Sequence, residues 1–174
     1  YRSGLKVYTT LGLKNQIIAQ NTTRKNLLIA DKRYGYRGPL GAINITLSKT
    51  TLQESLRQIN NLEEGTNPVI GTVIKGYVKT LGEDYVSVLL GNGEGVIELK
   101  DMAWAREPNN KVDGRWARIN NPSNALKPGD KILVKVLGLR KTDDLWSLAL
   151  EQEPEVESAM ISIEPETGHI KAMI

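Results

Sequence analysis

At 174 residues with 40% hydrophobic content, the chain is long enough for one domain of ordinary size, or a small domain carrying extra elements, and can bury a core. Cysteine is absent, which excludes disulfides and thiolate metal sites and fits either a reducing compartment or an extracytoplasmic chain without bridges. No run approaches the ~18 consecutive apolar residues of a membrane helix, and Tyr1-Arg2-Ser3-Gly4 does not start a signal peptide, so if the parent protein is exported its signal is expected outside these residues.

Net charge is +3, but it is unevenly placed. Residues 1–37 hold eight Lys/Arg against Asp31, a balance of +7, while residues 151–174 hold six Glu against Lys171, a balance of −5. The middle, residues 38–150, holds 14 basic and 13 acidic residues. A segment that grips phosphates concentrates positive charge on itself, and this one does not. The two flanks, opposite in sign, are suited to pack together as one surface.

In chain order, Leu5-Lys6-Val7-Tyr8-Thr9-Thr10 reads as a strand, with Leu5 and Val7 on one face. A helix is predicted over about residues 15–32, its apolar positions Ile17, Ile18, Leu27, Leu28 and Ile29 interrupted by Asn21-Thr22-Thr23-Arg24. Tyr34-Gly35-Tyr36-Arg37-Gly38-Pro39 stops it. Ile43-Asn44-Ile45-Thr46-Leu47 alternates as a short strand, and a second helix of about residues 49–61 follows. Ser48 or Thr50 is its cap, Gln53 completes a capping box with Thr50, and Leu52, Leu56 and Ile59 form its apolar side.

Five strand-like runs then occupy residues 71–150: Gly71-Thr72-Val73-Ile74, Tyr85-Val86-Ser87-Val88-Leu89-Leu90, Gly95-Val96-Ile97-Glu98-Leu99, Lys131-Ile132-Leu133-Val134-Lys135-Val136 and Leu145-Trp146-Ser147-Leu148-Ala149-Leu150. Rich in β-branched residues and punctuated by Gly, Asn and Asp, they predict a five-stranded oligomer-binding (OB) barrel. Val86, Val88 and Leu90 share the face suited to a core, opposite Tyr85, Ser87 and Leu89. Gly91-Asn92-Gly93 and Lys141-Thr142-Asp143-Asp144 read as hairpin turns, and Lys127-Pro128-Gly129-Asp130 turns into the fourth strand. Residues 107–124 form a long loop of the kind that is more often functional than accidental. After Pro154 a second β unit is expected: Ala159, Ile161 and Ile163 alternate, Glu164-Pro165-Glu166-Thr167-Gly168 turns, and Ile170, Ala172 and Ile174 resume. The sequence stops inside that strand, as though cut from a longer chain.

Such barrels bind nucleic acid, sugars or protein alike, so the fold does not name the function. Trp146 alternates with Leu148 and Leu150 and reads as core. Trp104 reads as a plug under the long loop. Trp116, flanked by Arg115 and Arg118, is the candidate for a partner contact, with Trp104 beside it as a second aromatic contact. His169, the only histidine, falls at a turn and lacks partners for metal binding or acid–base work. The acids Glu151, Glu153, Glu155 and Glu157 read as a solvated linker.

Gly4-Leu5-Lys6-Val7-Tyr8-Thr9-Thr10-Leu11 with Gln16 and Ala19, then Asp31-Lys32-Arg33-Tyr34-Gly35-Tyr36-Arg37-Gly38-Pro39, resembles the start of the transpeptidase region in class A penicillin-binding proteins of the 1A type. Trp104-Ala105-Arg106, Pro128-Gly129-Asp130 and the hairpin of residues 158–173 resemble the same family. Gly12, Asn15 and Tyr34 depart from its usual acid, Leu and His; a missing cap at Gly12 costs the first helix about 1 kcal/mol or less.

The resemblance implies a mainly β fold with α. A five-stranded OB-like barrel forms the inserted domain, residues 40–154 with the helix of about residues 49–61 leading into it, between a strand-helix segment, residues 1–39, and a β-hairpin, residues 155–174, of the transpeptidase domain. It also implies a periplasmic fragment of a peptidoglycan glycosyltransferase and transpeptidase anchored in the bacterial inner membrane. The fragment's partners would be the remainder of that synthase and a protein activator or peptidoglycan, with no nucleic acid and no membrane contact of its own.

Serine acyl-transferases of this class bring together Ser-x-x-Lys, Ser-x-Asn and Lys-Thr-Gly. Ser3-Gly4-Leu5-Lys6 matches the first spacing but precedes a predicted strand, no Ser-x-Asn occurs, and Lys141-Thr142 is followed by Asp143. In the family the nucleophile lies downstream of the hairpin, so the fragment is expected to lack catalysis, cofactors and metals. The competing reading is an OB-fold RNA or single-strand-binding module. Gly71-x-Val73, Gly95-Val96-Ile97 and Gly129-Asp130-x-Ile132-x-Val134-x-Val136 resemble that group, while an aromatic, basic binding face is missing beyond Tyr77, Tyr85 and a few Lys.

Overall fold

The computed structural model describes residues 4, 6–43, 46–109, 111–112, 114 and 117–174. The chain divides into two compact units, one of Tyr1–Asp31 with Pro154–Ile174, the other of Lys32–Glu153.

The second unit is the predicted barrel. Strands β1 (Val73–Leu81), β2 (Tyr85–Leu89), β3 (Glu94–Glu98), β4 (Lys131–Leu139) and β5 (Trp146–Glu151) close in the order β1-β2-β3-β5-β4. All pairings are antiparallel except β3 with β5, where Gly95 faces Trp146 and Ile97 faces Leu148. That parallel seam closes the barrel and removes its open edges. Inward residues alternate as the pleat requires: Val86, Val88, Ile132, Val134, Val136, Leu148 and Leu150 are all fully buried.

β1 is longer than the four residues read from the sequence, which ended before Lys75 and Gly76. Gly76 breaks the pattern on paper yet is needed inside the strand, since a Cβ there would lie 2.6 Å from Val88 Cγ1. β4 likewise runs on to Leu139 through a bulge between Val136 and Gly138.

Helix α1 spans Leu13–Tyr34, and Gly35 at φ +111° ends it, as expected. Helix α2, Lys49–Asn60, packs Leu52 and Leu56 on Tyr77 and Leu89. Leu89, read as facing away from the core, is therefore buried on the outer side of the barrel. Asn60 fixes this contact, its side-chain amide accepting from Lys75 N at 2.8 Å and donating to Lys75 O at 2.9 Å. The cap of α2 is Ser48, whose Oγ accepts from Thr51 N at 3.2 Å. The expected Thr50–Gln53 box is displaced, because Thr50 already lies within the first helical turn. Asn61 takes the left-handed conformation that ends the helix.

Two predicted strands are corrected. Residues 6–10 are irregular; Thr10 Oγ1 donates to Ile170 O and Gly12 N to Lys171 O, two isolated bonds that do not build a ladder, and Val7 and Tyr8 stay exposed. Leu5 lies outside the described residues. Of the alternating run 43–47, Asn44 and Ile45 also lie outside them. Thr46 and Leu47 turn, and neighbouring Ala42 makes a single bridge to Asp130, too short a pairing to propagate. The closing hairpin is present, with β6 (Ile161–Ile163) antiparallel to β7 (Ile170–Met173) and Gly168 at φ +69° in its turn. Within this first unit Gln16 clasps β7: Nε2 donates to Met173 O at 2.8 Å and Oε1 accepts from Met173 N at 2.9 Å.

Candidate functional site

Two features of the barrel unit gather polar side chains. One is the neck where residues 32–37 run beside residues 150–153. Lys32 Nζ lies 2.8 Å from Glu151 Oε2, within 3.4 Å of Leu150 O, and 4.9 Å from the centre of the Trp104 ring. Tyr36 meets Trp104 edge-on at 5.8 Å and 85°. Gln152 accepts from Arg37 N at 3.1 Å and donates to Gly35 O at 3.0 Å, while Arg37 donates to Glu153 O. Burial pushes the Tyr36 phenol well above its usual range, and the Asp130 charge adds to the shift.

Arg106 organises this neck from below. Its guanidinium is buried and donates to four backbone carbonyls: Arg33 at 2.8 Å, Val112 at 3.0 Å, Glu107 at 3.0 Å and Asn109 at 3.3 Å. Its own carbonyl accepts from Tyr36 N at 2.7 Å, and a Cβ on Gly35 would stand 2.7 Å from that oxygen. A planar fork of five donors suits this task where an ammonium would not. The sequence marked Arg106 only as part of Trp104-Ala105-Arg106. A signal was present: an arginine directly after a buried-looking Trp-Ala pair, heading a loop full of carbonyls without strand partners.

Of the predicted contact residues, Trp104 is half-buried between Tyr36 and Lys32, and its indole N–H finds no acceptor among the described residues. Arg118 is exposed beside Ile119, whose N donates to Ala103 O at 2.9 Å. Arg115 and Trp116 lie outside the described residues. Trp146 packs against the core from a half-buried position, as the alternation with Leu148 predicts.

The second feature is a cleft of about 550 Å³ between the β1–β2 turn, the β2–β3 surface and the β4–β5 turn. Tyr85, Asp84, Glu98, Lys100, Arg140 and Asp143 carry its polar and aromatic groups, over Val96, Leu99 and Leu145. Glu98 Oε2 lies 2.5 Å from Lys100 Nζ, and Arg140 Nε 3.4 Å from Asp143 Oδ1. The Lys100 hydrogen bond and charge hold the Glu98 carboxyl below the usual carboxylate range. No reading of the sequence singled out this cleft, because the turns that line it are more than 50 residues apart in the chain. Among the described residues no group of His, Cys, Asp and Glu is arranged to hold a metal, and no helix is long and apolar enough to cross a membrane. Lys141-Thr142-Asp143 sits in the β4–β5 turn, His169 is exposed, and Ser3 lies outside the described residues.

The comparisons with known proteins agree with the resemblance to 1A-type penicillin-binding proteins. The chain is 29% identical over 177 residues to "Penicillin-binding protein 1A" of Escherichia coli (strain K12), which covers all of this chain and 19% of that relative. It is 32% identical over 178 residues to the Haemophilus influenzae protein of the same name, again over all of this chain and 18% of the relative. It thus spans about a fifth of the length of the curated relatives it matches. The crystal structure of penicillin-binding protein 1A from Haemophilus influenzae superposes with a TM-score of 0.58 at 24% identity, over 99% of this chain and 22% of that one, a likeness of fold. Residues 36–156 match the family described as penicillin-binding protein OB-like domain. Since that stretch holds the closed barrel, the helix packed on it and the Arg106 loop beneath the neck, the chain belongs to the penicillin-binding protein OB-like domain family.

Proposed function

We propose that the chain is a non-catalytic accessory domain of a peptidoglycan glycosyltransferase and transpeptidase of bacterial cell-wall synthesis. Residues 40–154 are the inserted domain, and residues 1–39 and 155–174 belong to the transpeptidase domain that it positions or regulates. The observation that carries this reading is the make-up of the first unit. Two ends of the chain, separated by the whole barrel, are hydrogen-bonded to each other at Thr10, Gly12 and Gln16 against β7. That pairing supports the reading of one domain inserted into another. The parent is anchored in the inner membrane with this part in the periplasm, where a protein activator or glycan contacts the barrel, with Trp104, Arg115, Trp116 and Arg118 as candidate contacts.

The test is made in the full-length parent. Replacing residues 40–154 by a flexible linker is expected to leave covalent labelling by a fluorescent penicillin and to alter cross-linking of glycan strands, while the 174-residue chain alone takes no label. Labelling of the isolated chain, or cross-linking unchanged by the replacement, overturns the reading. Single-stranded DNA is expected to bind no tighter than the non-specific range of about 10⁻⁴ to 10⁻⁶ M.

A further inference from the structure

We propose that the cleft beside Tyr85 is a saccharide site that takes a glycan strand, with the Tyr85 ring as its stacking platform. The inference rests on the cell-wall reading for the source of the glycan, but its chemistry stands on the cleft.

Tyr85 is 45% exposed although it begins a strand of a closed barrel. Its ring is seated against Gly82, where a Cβ would lie 2.3 Å from Tyr85 Cε1 and 2.6 Å from Cδ1. The glycine thus makes room for the ring and fixes it at the mouth of the cleft. An aromatic surface with a hydroxyl at its rim meets the C–H face of a pyranose while the sugar's hydroxyls turn to polar neighbours.

Those neighbours are of both kinds. Asp84, Glu98 and Asp143 accept hydrogen bonds, and Lys100 and Arg140 donate them. A polyol with donors and acceptors around its ring uses both sets. A polyphosphate strand does not, because three carboxylates stand against two cations, which are already engaged with Glu98 and Asp143. An apolar peptide finds only Val96, Leu99 and Leu145. The volume is that of a small-ligand site, and the groups stand on strands, tight turns and the short 3₁₀ helix of Leu99–Asp101. Barrels of this topology offer the same surface, the strand 2–3 face between the first and last turns, to oligosaccharides and oligonucleotides. The charge of this one selects the former.

The test is a titration of the isotope-labelled 174-residue chain with the tetramer of β-1,4-linked N-acetylglucosamine, followed by nuclear magnetic resonance. Saturable shifts are expected at Gly82, Tyr85, Val96, Glu98 and Leu145. Tyr85→Ala is expected to weaken binding at least about tenfold, with Tyr85→Phe keeping most of it. Gly82→Ala, which displaces the ring without removing it, is expected to weaken binding as well. Unaltered shifts outside the cleft report that each variant is folded. No saturable shift at millimolar saccharide, shifts confined to another surface, or tighter binding of single-stranded DNA to the same residues overturns the site. If the site falls while barrel replacement in the full-length parent still changes cross-linking, the accessory-domain reading stands without it.

Discussion

Arg106→Ala is the sharpest test of how the barrel unit is held at its neck. The substitution removes one charged group that serves four carbonyls, those of Arg33, Glu107, Asn109 and Val112. Hydrogen bonds to a charged donor contribute about 1.5–3 kcal/mol each, and those sharing one guanidinium are far from additive. Losing four partly buried, charge-assisted hydrogen bonds while opening a cavity of guanidinium size gives an expected loss of about 3–5 kcal/mol, less than their sum. That is a large share of the ~5–15 kcal/mol that separates a folded domain from its unfolded chain. For a chain of this length about 2–4 °C follow each kcal/mol, so Tm is expected to fall by roughly 6–20 °C. Arg106→Lys recovers little, since a single ammonium cannot reach carbonyls spread around a planar fork. Urea unfolding gives the free energy, and amide exchange at Tyr36, which bonds the Arg106 carbonyl at 2.7 Å, reports the local opening. A loss below about 1 kcal/mol, or full rescue by lysine, would refute the assignment of Arg106 as the organiser of the neck.

The barrel seam and one surface ion cluster give further tests. Gly95→Ala places a Cβ 2.5 Å from Leu148 Cδ1 and 2.8 Å from Trp146 O, and a backbone oxygen cannot yield, so the variant is expected to lose about 1–3 kcal/mol in urea unfolding; an unchanged midpoint would show that the β3–β5 pairing has slack. Glu94 is raised by burial but lowered on balance by Lys49 at 2.6 Å and Lys79 at 2.8 Å. Its folded pKa is below its unfolded one, so its stabilisation is present above the ordinary Glu range of about 4.3 and disappears as pH falls through the folded value. Glu94→Gln is expected to flatten the acid arm of a stability–pH curve, and a parallel curve contradicts the pairing.

Much of this architecture was legible in local patterns. The period-2 runs around Val86, Ile132 and Leu148 announce strands because one face of each is buried in a barrel core, and burial writes itself into alternation. The glycines of the turns, Gly93, Gly129 and Gly168, are legible for a related reason, since each adopts a positive φ that other residues resist. The elements that misled are those whose partners are remote. Val7 and Thr9 have strand composition but no continuous neighbour to pair with among the described residues, and propensity alone makes no ladder. Leu89 reads as surface until α2, more than 25 residues earlier, covers it.

The sequence by itself determined β2 to β5 with the turns between them, both helices and the family, since each rests on residues close in the chain; of β1 it marked only Val73 and Ile74. Only the tertiary structure decided that β3 and β5 meet in parallel to close the barrel, that Arg106 binds four carbonyls, and that Tyr85 stands in a cleft with Arg140 and Asp143. These depend on segments 40 to 75 residues apart, and no local periodicity records which distant surfaces come to share a site.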